Sequence, residues 1–189
     1  MRQTGGDGRN VTRLKKTVVL VGMMGAGKTA VGTQLARQIG VPFIDTDHEI
    51  ERAAARTIPE IFARDGEAFF RGKETQVLER LLQGPPAILS TGGGAFLSEI
   101  NRETISRHGI SVWLRADADT LWQRVKSRGN RPLLQTTDPR RTLADILAAR
   151  EGTYALAHLT VDSHPGLSVE RMAYQVHQAL AAFPDILEE

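Results

Sequence analysis

Residues Gly22-Met23-Met24-Gly25-Ala26-Gly27-Lys28-Thr29 spell G-x-x-x-x-G-K-T. The β-branched run Thr17-Val18-Val19-Leu20-Val21 stands before them, and Val31, Leu35 and Ile39 recur after them at helical spacing. Strand, glycine-rich turn and helix in that order form the context in which this motif is a phosphate-binding loop. The glycines let successive backbone N–H groups turn inward into an anion-binding concavity. The helix start adds its orphan donors and its dipole. Lys28 is placed to reach the β- and γ-phosphates of a nucleotide, and the Thr29 hydroxyl to ligate Mg²⁺. The loop leaves the phosphate acceptor undefined.

The rest of the chain alternates strand and helix. Gly40-Val41-Pro42 stops the loop helix, and Phe43-Ile44 reads as a second strand entering Asp45-Thr46-Asp47. A helix over His48 to Ala55 follows, and Thr57-Ile58-Pro59-Glu60 is a capping-box pattern opening another. Arg64-Asp65-Gly66-Glu67 interrupts that helix, and a longer one from Phe69 to Leu82 ends at Gly84-Pro85-Pro86. Ala87 to Ser90 reads as a buried strand running into Thr91-Gly92-Gly93-Gly94. Ile110 to Leu114 and Ala157 to Val161 complete five strands, with helices near 98–107, 117–125, 143–150 and 168–183. The polar, proline-punctuated stretch from Gly129 to Asp138-Pro139 has little to bury and reads as a lid or binding loop. This alternation predicts an α/β fold, a three-layer sandwich with a central five-stranded parallel sheet covered by helices on both faces.

Composition narrows the class. The 189 residues are read as one domain over 15–184, preceded by a disordered basic tail over 1–14. The chain has no cysteine, so disulfide scaffolds and Cys-based metal sites are excluded. No apolar run approaches a membrane span and the N-terminus has no apolar signal core, so a cytoplasmic protein without a membrane is expected. The net charge of +2 is a local effect. Residues 1–16 hold Arg2, Arg9, Arg13, Lys15 and Lys16 against Asp7, a net +4, which leaves the remaining body at −2. No nucleic-acid partner is expected of such a body, and a monomer is the expected state.

Phosphoryl transfer needs a phosphate cradle, a metal, an oriented acceptor hydroxyl and positive charge on the transferring group. Asp45 and Asp47 would point to opposite sides if the strand continued, one toward the metal and one toward the acceptor; Asp47 would equally suit a helix N-cap. Three consecutive glycines at a strand end imply a close backbone approach. Arg71 follows Phe69-Phe70, Arg131 precedes Pro132, and Arg150 shares a helical face with Leu143, Ile146 and Leu147, an odd place for a solvated charge. Converging guanidinium groups would bind an anionic acceptor bidentately. His48, His108, His158, His164 and His177 have no metal-ligand spacing. Met23 and Met24 fill variable loop positions as a cover over the nucleotide site without chemistry, and Trp113 and Trp122 read as packing.

The assembly resembles the shikimate kinase family from about Lys16 to Leu180. The likeness rests on G-M-M-G-A-G-K-T (22–29), F-I-D-T-D (43–47), I-F-A-R-D-G-E-A-F-F-R (61–71), S-T-G-G-G-A (90–95), R-G-N-R-P-L-L (128–134) and A-R-E-x-x-Y (149–154). It implies a P-loop kinase fold with a mobile lid over about 129–139, ATP as co-substrate, Mg²⁺, and phosphorylation of the shikimate 3-hydroxyl. By the same resemblance, Gly25, Ala26, Gly27, Lys28, Thr29 and Ala30 bind the phosphates, and Thr29 and Asp45 serve the metal. Asp47 is the candidate base and holds the ring hydroxyls. Arg71 and Arg150 clamp the carboxylate, with Glu74 supporting Arg71. The Gly93 and Gly94 amides meet hydroxyls, and Arg131 approaches the transferring phosphate. Arg124 borders the adenine, with Ser163, His164 and Pro165 opposite. The chain departs from the family where R-x-P-L-Y reads Arg150-Glu151-Gly152-Thr153-Tyr154, which puts the rigidity of that helix end in question. A gluconate-type small-metabolite kinase and a nucleotide-dependent interaction module without turnover remain as other readings.

Overall fold

The computed structural model describes residues 13–127, 132–183 and 185–188. In chain order the elements are β1 (Arg13–Leu14), β2 (Thr17–Val21), α1 (Lys28–Ile39), β3 (Phe43–Asp45), α2 (Thr46–Ala54), α3 (Ile58–Leu82), β4 (Ile88–Ser90), α4 (Glu99–His108), β5 (Gly109–Arg115), α5 (Ala118–Val125), α6 (Pro139–Tyr154), β6 (Leu159–Asp162), α7 (Val169–Ala181) and β7 (Leu187–Glu188). Five of the strands form one parallel sheet in the order β3-β4-β2-β5-β6.

Every residue of β2 is buried, as a central parallel strand covered on both faces must be. On one face α1 packs against α7, α1 burying Val31, Leu35 and Ile39 as their spacing predicts. From the other face α4 lies against β5, with α3 packed beside it. The five expected strands and their helical cover are therefore all present, and the phosphate-binding loop leaves the carboxyl end of the middle strand.

Several local expectations come out differently. The chain does not continue as a strand through Asp47. Asp45 ends β3 and caps α2, its Oδ1 accepting the Asp47 N–H at 3.0 Å, so Asp47 lies in the first helical turn and the capping role falls to its neighbour. The two carboxylates diverge because one is at a helix cap and the other is inside the helix.

The capping box at Thr57 and Glu60 forms as expected, and the Arg64–Glu67 interruption is a kink at Gly66, whose φ of 83° only glycine adopts readily. In the stretch read as having little to bury, Pro132–Leu134 makes a 3₁₀ turn and Leu134 joins the main core. Of the expected basic tail, residues 1–12 lie outside the described residues. Its last two residues, Arg13 and Leu14, pair antiparallel with Glu188 and Leu187, and the Lys15 N–H donates to Ile186 O at 2.9 Å. Leu14 and Ile186 are buried in the core. Among the described residues no helix is long and apolar enough to cross a membrane.

Gly152 stands where the resemblance leads one to expect proline, and α6 runs without a break through it to Tyr154. A Cβ added there meets nothing within 4 Å. Gly152→Ala should therefore stabilise the fold by about 0.5–1 kcal/mol, since glycine in a helix interior costs about that relative to alanine. Calorimetry should register it as a small rise in Tm. A fall would mean that the end of α6 is not helical in solution.

Candidate active site

The loop's shape follows from its glycines. Gly25 and Gly27 have φ of 83° and 93°, in the left-handed region. Gly27 caps α1 without any side-chain bond, so no side chain competes for the first-turn amides that would face an anion. Lys28 is buried, and its Nζ donates to Gly22 O at 2.8 Å and Met23 O at 3.0 Å, which tethers the ammonium inside the loop. Met24, Gly25, Ala26, Gly27, Thr29, Ala30, Asp45 and Asp47 line one cavity of about 670 Å³ with Lys28. Met23 does not join them. It is buried in the core, a correction to its reading as a cover over the site.

Beside the loop, three oxygens gather. Thr29 Oγ1 donates to Asp45 Oδ2 at 3.2 Å and lies 3.4 Å from Ser90 Oγ. Hard oxygen donors of this kind suit Mg²⁺, which keeps much of its water and takes few protein ligands. Among the described residues no group of three or more His, Cys, Asp or Glu could hold a metal by itself. Ser90 was not singled out in the sequence. Its register partner across the sheet is Asp45, so the two lie side by side at the strand ends.

The glycine triplet forms the opposite wall, and each member faces a different charged residue. A Cβ on Gly92 would lie 2.9 Å from Asp47 Oδ1 and 3.4 Å from Glu74 Oε1. One on Gly93 would lie 3.7 Å from Arg150 Nη1 and from Gly22 O, and one on Gly94 only 2.6 Å from Arg71 Nη1 and Nη2. Side chains at 92 and 94 would displace the carboxylate and the guanidinium, which is why the backbone is bare there. The triplet thus holds Asp47, Arg150 and Arg71, from three separate helices, beside three consecutive residues, with Gly93 also next to Gly22 O of the phosphate-binding loop.

Burial sets the electrostatics. Asp47 has its carboxyl pushed above the ordinary range, first by desolvation and then by the nearby Asp45 carboxylate, with Lys28 pulling the other way. Its Oδ1 is buried and has no partner among the described residues. Glu74, only 3 % exposed, is likewise pushed up by burial, against the pull of Arg71. Arg71 Nη1 donates to Glu74 Oε2 at 2.8 Å, as expected of residues three apart on a helix, and Glu67 lies 3.4 Å from Arg71 Nε.

On the far side, Arg124 of α5 donates from Nη1 to Gly25 O at 3.3 Å and from Nη2 to Ser163 Oγ at 2.9 Å. It borders both the first cavity and a second of about 490 Å³, which Pro165 also lines. His164 is exposed and lines neither. Arg131 lies outside the described residues. His158, given no metal role in the sequence, accepts the Ser111 N–H on Nδ1 at 3.1 Å.

Comparison with known proteins matches this arrangement to one family. The family profile described as shikimate kinase matches residues 24–181. The shikimate kinase of Cereibacter sphaeroides is 63% identical over 183 residues, covering 96% of this chain and 92% of its own. The solved shikimate kinase from Acinetobacter baumannii in complex with shikimate is 41% identical with a TM-score of 0.82, over 88% of this chain and 93% of that one. A gluconokinase from Sinorhizobium meliloti shares the architecture alone, at 19% identity and a TM-score of 0.53, over 88% of this chain and 94% of that one. Identity of that degree, sustained along nearly the whole chain, places this protein in the shikimate kinase family.

Proposed function

We propose that the site transfers the γ-phosphoryl group of ATP to the 3-hydroxyl of shikimate, giving shikimate 3-phosphate and ADP. One observation carries the reading: Asp47, Arg71 and Arg150 each lie beside one of Gly92, Gly94 and Gly93, and Asp47, Gly92 and Gly93 line the same cavity as Lys28. A carboxylate that can accept a proton and two guanidinium groups that can hold a carboxylate suit a small anionic alcohol.

In this reading Arg71 and Arg150 bind the shikimate carboxylate, and the Gly93 and Gly94 amides bind ring hydroxyls. Asp47 accepts the proton of the 3-hydroxyl as its oxygen bonds to the γ-phosphorus and the bond to the β-phosphate oxygen breaks, releasing ADP. Lys28, held by the Gly22 and Met23 carbonyls, offsets the charge on the phosphates. Thr29 and Asp45, with Ser90 adjacent, would hold Mg²⁺, which when bound neutralises phosphate charge. Arg124 and Pro165 flank the adenine. Arg131, on the segment over about 129–139 read as a lid, completes the positive charge around the transferring group, and closure of that segment excludes water. The reading takes the protein as a cytoplasmic monomer.

The test is ADP release by purified protein with Mg-ATP. Shikimate should stimulate it strongly and gluconate should not. Stimulation by gluconate alone would move the protein to the neighbouring small-metabolite kinases, and stimulation by neither would favour an interaction module.

A further inference from the structure

Tyr154 ends α6 fully buried, and no step above uses it. Its hydroxyl donates to Gly93 O at 2.6 Å, pairs with the Arg150 guanidinium and lies 3.8 Å from Met23 Sδ. Its ring stands 6.0 Å, centroid to centroid, from Trp113, which in turn packs under Gly22. A phenylalanine would fill the same apolar space, so the hydroxyl is there to place a bond. That bond falls where the walls of the site meet. A Cβ on Gly93 would lie 3.7 Å from Arg150 Nη1, from Gly22 O and from Tyr154 Oη alike.

Peptide planarity gives the contact a direction. In a trans peptide the Gly93 C=O and the Gly94 N–H point opposite ways in one plane. Holding the carbonyl on buried Tyr154 therefore turns the Gly94 N–H away from Tyr154. Among the described residues the Gly93 and Gly94 amides have no acceptor. With glycine on both sides, the linking peptide has few steric reasons of its own to keep one orientation. We propose that Tyr154 is a positioning residue for the acceptor. By holding Gly93 O it fixes the Gly93–Gly94 peptide plane, and so sets the direction in which the Gly94 N–H meets the acceptor hydroxyls. This rests on the shikimate kinase reading, so acceptor-dependent ADP release by the native protein is measured first and tests that reading separately.

Tyr154→Phe should raise the shikimate KM about tenfold and change the ATP KM by less than about twofold, the loss of one directing hydrogen bond and of the donor it aims. Ile105→Ala, a cavity in α4 remote from the site, should lower Tm and move neither KM. A folded Tyr154→Phe enzyme with an unchanged shikimate KM overturns the proposal, as does an equal change in both KM values. If Tyr154→Phe does not fold, 3-fluorotyrosine in the full chain decides the matter, since Tyr154 and Tyr174 are the only tyrosines. Saturating shikimate should shift the Tyr154 fluorine resonance, assigned with Tyr174→Phe. A resonance that does not move overturns the proposal.

Discussion

Asp47→Asn should lower kcat by about a thousandfold while shikimate KM changes by less than about tenfold, the range expected when a positioned general base is lost. Asparagine keeps the shape and one acceptor oxygen but cannot take up the proton. The environment of Asp47 makes the substitution informative. Its carboxyl is buried and raised in pKa, with Asp45 as a repelling neighbour, so the neutral amide removes repulsion and Tm should not fall. Any loss of turnover is then a loss of chemistry and not of fold. Phosphoryl transfer is catalysed largely by positioning and charge stabilisation, so the size of the drop separates proton removal from mere orientation. Single-turnover kinetics within tenfold of wild type would sink the base assignment.

Arg71→Ala should raise shikimate KM about a hundredfold with kcat reduced far less, since a charge-assisted hydrogen-bond pair to a carboxylate contributes about 1.5–3 kcal/mol. The variant carries a second cost. Glu74 is 3 % exposed, and Arg71 Nη1 is the donor on its Oε2. Removing the guanidinium leaves that carboxylate buried beside Asp47, which should destabilise the protein by about 1–3 kcal/mol. Adding Glu74→Gln removes the orphaned charge, so the double variant should regain most of the lost Tm and none of the lost affinity. Recovery of shikimate affinity in the double variant would show that Arg71 acts only by neutralising Glu74.

The sheet and loop could be read from the chain because their signals are local. β2 is an unbroken apolar run, the loop is a contiguous motif, and Gly66 marks the kink in α3 with a residue type. Whether the strand continues through Asp47 is not legible in the chain, because β3 is three residues long and passes into α2 with no spacer. A pattern that short cannot say where period two gives way to period 3.6. β1 and β7 are two residues each and pair across almost the whole chain, so neither carries a pattern at all. In the site, each charged residue was visible by type and setting, but the contacts of Ser90 and Tyr154 were not. Ser90 lies beside Asp45 only through the sheet register, and Tyr154 meets a carbonyl sixty-one residues away in sequence. Contacts of that kind leave no periodic trace in the chain.

The strand order β3-β4-β2-β5-β6 works as a ruler. With strands about 4.8 Å apart, the row of five carboxyl ends is about 19 Å long, enough to lay an acceptor and a nucleotide end to end. β3 and β4 carry Asp45, Asp47 and the glycine triplet at one end, β2 carries the loop at the centre, and β5 and β6 lead to Arg124 and Ser163 at the other. In the proposed reading, acceptor choice is encoded in one contiguous stretch, residues 43–96, with Arg150 and Tyr154 as its distant contributors among the described residues named here. A scaffold so divided can exchange the molecule it phosphorylates by altering that stretch, leaving the donor end of the row as it was.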